Sequence, residues 1–457
     1  MHTQPEHLRT LIATLLSFVL LVACMGRGLP MQGAAHGVSP LDQVFQAHNI
    51  EVQPEIRTFN PVQVTTSQSA TSGPKQVRYA CQSNSHPRPV LCYGPYQIRA
   101  AYGVSGLLAR QITGRGASIA IIDAYGSPTI RKDLQAFTSA WGLPQGHLNI
   151  VAPFGIEGTT DPWVSETSLD VEWAHALAPG ATINLVVART SNDVDLYKAL
   201  TYAVRHELGD IISLSFGENE HCIDPRLRHA EHRTFKEAVS KGITVVVATG
   251  DYGSVQMSCS DGSYQQAVSY PASDPLVTAV GGSALTADAV SGRYIGEKAW
   301  NESGIFHKAT GGGYSRVYAA PGYQKSMRAT VRGRGVPDLA LNASIFGGVL
   351  VYDHDRLKNR TSVSIMGGTS VATPELAGLL ADGVQLAHHR LGALNPALYR
   401  LGHSRGYNQL MHDISSGNNM LASSGLSGYA AAPGWDAATG WGSPRQAEAF
   451  LRALAAG

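Results

Sequence analysis

Charge is what this 457-residue chain has least of. Asp, Glu, Lys and Arg make up only 15% of it and the formal net charge is +1, against roughly 25% charged residues in an ordinary soluble protein. So weak a field gives no hold on nucleic acid or an anionic membrane, and neither is expected as a partner. It also limits the number of buried ion pairs that acid could break. Long apolar runs are scarce as well. After Leu11–Ala23 no stretch is long and apolar enough to span a bilayer. There is no internal repeat of roughly 20–50 residues, which excludes a solenoid or propeller.

What stands at the N-terminus is informative. His2, His7 and Arg9 precede the apolar run, as in a secretory signal. The run is shorter than the ~20 residues of a membrane span. It ends in Leu21-Val22-Ala23-Cys24, which resembles a bacterial lipoprotein cleavage box. Residues 1–24 are therefore expected to be a signal. The processed chain has no transmembrane span and is either secreted or, if Cys24 carries lipid, anchored at the cell envelope. Setting Cys24 aside leaves Cys81, Cys92, Cys222 and Cys259, an even number in an oxidising compartment. Of the three pairings, Cys81–Cys92 with Cys222–Cys259 closes the shortest loops and is favoured.

Residues 25–92 are rich in Gly, Pro, Gln, Ser and Thr and read as a leader, linker or short prosegment. The texture changes at Tyr93. Buried strands are predicted at 117–123, 181–187, 211–216 and 243–248, with helices at 130–141, 165–178, 193–206 and 226–241 between them. This alternation implies an α/β fold, a parallel sheet with helices on both faces, in one domain over 93–457.

The strongest chemical signal is Gly367-Gly368-Thr369-Ser370-Val371-Ala372-Thr373-Pro374 with an apolar run after it. Small residues let the backbone turn sharply before the serine. A helix starting there aims its first amides at developing negative charge. A serine nucleophile needs a base, normally histidine. The His-Gly-Thr-His string that a subtilase would supply is missing. Near its place stand Glu166 and Asp170, four apart and so on one face of a helix. Two close carboxyls do not both ionise cheaply, so one keeps a proton. A third piece, Val245-Val246-Val247-Ala248-Thr249-Gly250-Asp251-Tyr252-Gly253, puts Asp251 where a subtilase would carry an oxyanion-binding asparagine. Only a protonated Asp could donate to an oxyanion. All three pieces make sense in acid.

With these motifs from about Tyr93 to Pro444, and with Tyr270-Pro271-Ala272-Ser273-Asp274, Gly311-Gly312-Gly313-Tyr314-Ser315 and Val336-Pro337-Asp338, the chain resembles the sedolisin family. These serine-carboxyl peptidases have a subtilisin-like fold. The resemblance implies cleavage of protein or peptide substrates at acidic pH, through an acyl-enzyme on Ser370. Glu166 would be the base, Asp170 the group orienting it, and Asp251 the oxyanion donor. It also implies one structural calcium ion, held by the side chains of Asp413 and Asp436 and the carbonyls of Ile414, Ala432 and Gly434. Ala432 stands where the family often has glycine. The family's long folded prosegment has no counterpart of equal length in residues 25–90. A monomer is expected.

Other residues tempt different readings. Asp123 follows a buried strand as the aspartate of a Ser-His-Asp triad would, and His175 is the histidine nearest the carboxylates. Five residues beyond Asp170 and without the flanking pattern, His175 reads as a packed or surface residue. The rival functions are a histidine-dependent subtilase and a catalytically silent binding protein on the same scaffold.

Overall fold

Ile119 and Ile121 belong to one hydrophobic core, while Ala120, Ile122 and Ala124 belong to another. They alternate along strand β1 (Ser118–Ala124) because successive side chains point to opposite faces. A strand apolar on both faces must be covered on both, and that requirement shapes the whole chain. The computed structural model describes residues 91–325, 327, 333–355 and 360–456, with the short pieces 53–54, 57–59 and 79–82. All of them fall within the unit His48–Gly457. The signal-like segment, Cys24 and most of 25–92 lie outside the described residues.

The strands that follow are β2 (His147–Val151), β3 (Thr182–Ala188), β4 (Ile211–Leu214), β5 (Phe216–Asn219), β6 (Thr244–Ala248), β7 (Thr278–Ala287), β8 (Tyr294–Ala299), β9 (Leu339–Asn342), β10 (Gly347–Asp355) and β11 (Arg360–Gly367). The main sheet has eight strands in the order β8-β7-β6-β4-β1-β3-β2, with β9 also paired to β7. Every pairing in it is parallel except β7 with β8. The α/β, subtilisin-like architecture expected from the sequence is the one observed.

The helices are α1 (Ile130–Trp141), α2 (Asp161–Leu177), α3 (Asp193–Arg205), α4 (Pro225–Ser240), α5 (Thr369–Ala387) and α6 (Ala447–Ala455). Leu134, Leu169, Leu376 and Leu451 place α1, α2, α5 and α6 in the core on one face. Leu196, Leu200, Phe235 and Ala238 place α3 and α4 on the other. Helix α2 begins a turn before the expected Ser165, because Pro162 suits the first turn of a helix. The strand expected over 211–216 is broken at Ser215, and this break matters below.

Both favoured disulfides, Cys81–Cys92 and Cys222–Cys259, are present. Two of the motif aspartates act in the framework. Asp338 is fully buried and pairs with the buried Arg334, and Asp274 holds His232 at 2.7 Å.

Candidate active site

Chain direction sets the site. Gly368 precedes α5 with φ 129° and ψ 163°, a conformation that glycine adopts far more readily than other residues. It turns β11 directly into the helix and puts Ser370 in the first turn. Ser370 is fully buried, and its hydroxyl donates to the Ser215 carbonyl at 3.2 Å.

Ser215 stands in the break between β4 and β5, which frees both its ends for other contacts. Its carbonyl receives Ser370, while its hydroxyl donates to Asp170 Oδ1 at 3.0 Å. Asp170 and Glu166 project from α2 and are fully buried. Burial, above all, raises the pKa of each well above the ordinary carboxylate range. The charge of Asp170 adds to the effect on Glu166. Neither oxygen of Glu166 meets full hydrogen-bond geometry, although the Ser370 hydroxyl is near enough to favour its ionised form. A base poised to accept a proton from Ser370 needs that proximity.

Asp251 lies just beyond β6 and is also fully buried. Its Oδ1 accepts from the Thr369 amide at 2.9 Å and the Thr369 hydroxyl at 3.1 Å. The Gly250 amide in turn donates to that hydroxyl at 3.1 Å. The Gly311 backbone packs on this turn so closely that a Cβ there would come 1.9 Å from the Thr249 carbonyl oxygen. That contact accounts for one glycine of the Gly311-Gly312-Gly313 motif. The structure thus brings Ser370, Glu166, Asp170 and Asp251 together, from one strand-end and two helices.

Asp123, set aside with the histidine reading, belongs to the same cluster. It is fully buried at the end of β1, and burial raises its pKa to about 7. Its charge raises both Asp170 and Glu166. The sequence signal was there, a carboxylate closing an apolar strand, but only the fold shows what it faces. His175 points elsewhere. It is buried, its Nε2 contacts the Pro144 carbonyl at 3.0 Å, and burial lowers its pKa to about 4.

Two leader pieces border this site. Gln53–Pro54 pairs antiparallel with Phe216–Gly217, immediately after Ser215. Arg57–Phe59 pairs antiparallel with Ile365–Gly367, immediately before Gly368. Backbone of residues 53–54 and 57–59 therefore lies against both strands that converge on Ser370.

The expected calcium residues also converge, at the C-terminal part of the domain. Both oxygens of Asp413 accept from the Gly434 amide, at 3.0 and 3.1 Å. Asp436 accepts from the amides of Ala432, Ala438 and Thr439 at 2.8–3.0 Å. The Ile414 carbonyl accepts from the Thr439 hydroxyl at 3.2 Å. Both carboxylates lie close enough to Tyr407 to push its pKa up, after burial itself. Among the described residues no hydrogen bond falls on the Ala432 or Gly434 carbonyl. Two carboxylates and open carbonyls are a donor set that fits a hard cation.

Comparison with known proteins bears on the family and the fold. The profile described as the subtilase family matches residues 159–400. Kumamolisin of Bacillus sp. (strain MN-32) is 35% identical over 383 residues, covering 79% of this chain and 64% of that protein. Sedolisin of Pseudomonas sp. (strain 101) is 33% identical over 348 residues, covering 72% of this chain and 57% of that protein. The chain thus spans less than two thirds of the length of these relatives. The structure of Pseudomonas sedolisin, a serine-carboxyl proteinase complexed with two molecules of pseudo-iodotyrostatin, superimposes with a TM-score of 0.70 at 31% identity, covering 79% of this chain and 98% of that one. On these matches and on the shared subtilisin-like sheet, the chain belongs to the sedolisin family of subtilases.

Proposed function

We propose that this chain is an exported, acid-acting serine-carboxyl endopeptidase. The observation that carries the reading is the single buried cluster of Ser370, Glu166, Asp170 and Asp251, with Ser215 joining Asp170 to Ser370. Ser370 attacks the substrate carbonyl as Glu166 takes its proton. Asp170 shares the carboxyl pair's proton and holds Glu166 in place. Asp251, protonated in acid, donates to the developing oxyanion. Glu166 then gives its proton to the leaving amine as the C–N bond breaks, leaving an ester on Ser370. Water attacks that ester by the same steps in reverse, freeing the acid product and the serine.

The two disulfides support an oxidising compartment. The substrates would be proteins or peptides, cut by a monomer that is secreted or lipid-anchored. Residues 25–92 act in this reading as a leader, of which 53–54 and 57–59 pair with the strands on either side of Ser370. Calcium would be held by Asp413, Asp436 and the carbonyls of Ile414, Ala432 and Gly434, and its chemistry there is to neutralise and join two loops. Digestion of an unfolded protein from about pH 2 to about pH 8 tests the whole. Activity confined to acid and lost in Ser370→Ala is expected. Activity that rises through neutrality in a stable protein overturns it.

A further inference from the structure

One buried cation beside the catalytic turn has no anion among the described residues. Lys308 is 4% exposed, yet no carboxylate pairs with it, whereas Lys198 and Lys241 both hold carboxylates. Its ammonium lies over the ring of Tyr252, 3.9 Å from the centroid. Glu302, an acid on the same loop, is already engaged. Its oxygens accept from the Trp300 ring nitrogen at 3.0 Å and the Ser344 hydroxyl at 2.5 Å. They also accept from the amides of Ile345 and Phe346 at 2.9 and 3.1 Å. An aromatic face offsets only part of the cost of burying a charge. An anion brought by a ligand would complete the site.

The backbone fixes this cation next to the site. The Ala309 amide donates to the Asp251 carbonyl at 3.0 Å, and the Gly253 amide donates to the Ala309 carbonyl at 2.9 Å. Lys308 is thereby held on the turn that carries Asp251, and the ring it covers belongs to the residue after Asp251. Strands β4 and β6 are parallel neighbours with Leu214 opposite Val247, so Ser215 and the turn 250–253 leave the sheet side by side. The crevice outside the carboxyl ends of such strands is where an α/β sheet takes its ligand. The antiparallel pairing of Gln53–Pro54 with Phe216 and Gly217 shows that a peptide can follow β5. A substrate in that line sets the residue before the cut opposite Ser215, with its carbonyl toward Asp251. The other wall beside that residue is the turn bearing Tyr252, with the Lys308 ammonium over the ring.

We propose that Lys308 recognises the side-chain carboxylate of a glutamate or aspartate immediately before the cut, and so gives the enzyme a preference for acidic residues there. The proposal rests on the peptidase reading above. The anions of a peptide are carboxylates, and an ammonium with three donors can meet both oxygens of one.

Quenched peptides of one sequence, differing only as glutamate or glutamine before the cut, test it. The assay is run at about pH 5, where a free glutamate side chain is mostly ionised and a lysine is charged. A kcat/KM about tenfold higher for glutamate is expected. Lys308→Met and Lys308→Gln, each verified as folded by circular dichroism, should bring that ratio close to one. A second pair carries glutamate or glutamine just after the cut, and its members should be cleaved alike. A preference confined to that second pair overturns the placement before the cut. Equal cleavage within the first pair by the unaltered protein overturns the proposal while leaving the peptidase reading standing. A ratio that survives both substitutions overturns the role of Lys308. An equal fall in kcat/KM on all four peptides, with the ratio kept, shows that Lys308 only supports the Asp251 turn and overturns it too. Cleavage of no peptide at all overturns both readings together.

Discussion

Asp251 accepts the backbone amide of Thr369 at 2.9 Å, so the residue preceding the nucleophile fixes the group proposed to receive the oxyanion. Asp251→Ala should lower kcat by ~10²–10³, the scale for one lost oxyanion donor. Asp251→Asn keeps a neutral donor at every pH. It should retain more activity than the alanine variant and extend activity toward neutrality. An asparagine variant with an unmoved alkaline limb would show that Asp251 does not set it.

Ser370→Ala should abolish proteolysis in a folded protein, because the nucleophile goes and its turn stays. Glu166→Ala should be nearly as severe, since an unassisted hydroxyl is a poor nucleophile. His175→Gln should cost less than about tenfold, as its ring contacts the Pro144 carbonyl and not the serine. Initial rates on one peptide, with circular dichroism to verify folding, decide the matter. Comparable losses from His175 and Glu166 would point to a histidine mechanism.

Stability should fall as pH rises from acid to neutral. Asp123 and Asp193 are raised to about 7 and Glu231 to about 8 by burial, and Glu375 and Asp382 are also raised by burial. An unfolded carboxyl titrates near ~4, so between there and neutrality the folded state binds more protons. Stability therefore declines with pH over that window, being greatest below the unfolded pKa. Melting temperatures from about pH 4 to about pH 8 should drop steadily. A Tm that climbs over this window would contradict the burial of these groups.

Calcium removal should loosen the C-terminal loops before it alters chemistry. Asp413 and Asp436 face the same small region around Tyr407, and a cation between them favours the folded state by mass action. Chelation should lower Tm and speed self-digestion, with an initial rate close to normal. Asp436→Ala should lower Tm similarly and make it insensitive to chelator. Elemental analysis that finds no calcium, with a chelator-independent Tm in the unaltered protein, rejects the site.

Much of this was readable from local pattern. Ile130–Trp141 is a helix because its apolar positions recur at helical spacing, and Glu166 and Asp170 share a face because they are four apart. Other features depend on what the fold brings alongside. Asp123 closes an apolar strand like many loop-facing aspartates, and its burial comes from α2 crossing above it. The break at Ser215 interrupts a run that reads as one strand, because its hydroxyl and carbonyl serve Asp170 and Ser370. Tyr252 and Lys308 come from separate segments, and no spacing announces that they meet.

The pairing of Arg57 with Gly367 joins residues more than three hundred positions apart, and it has a consequence for dilution. A free inhibitor or product leaves a cleft as its concentration falls. A covalently attached segment does not, since its effective concentration is set by the tether. Under the proposed function, with residues 25–92 a leader lying on the site, dilution should not wake an intact chain, however far it is carried. Release has to come from cutting the tether or from acid weakening its grip, so an activity assay should show a lag whose length does not depend on protein concentration when the cut is made within the same molecule.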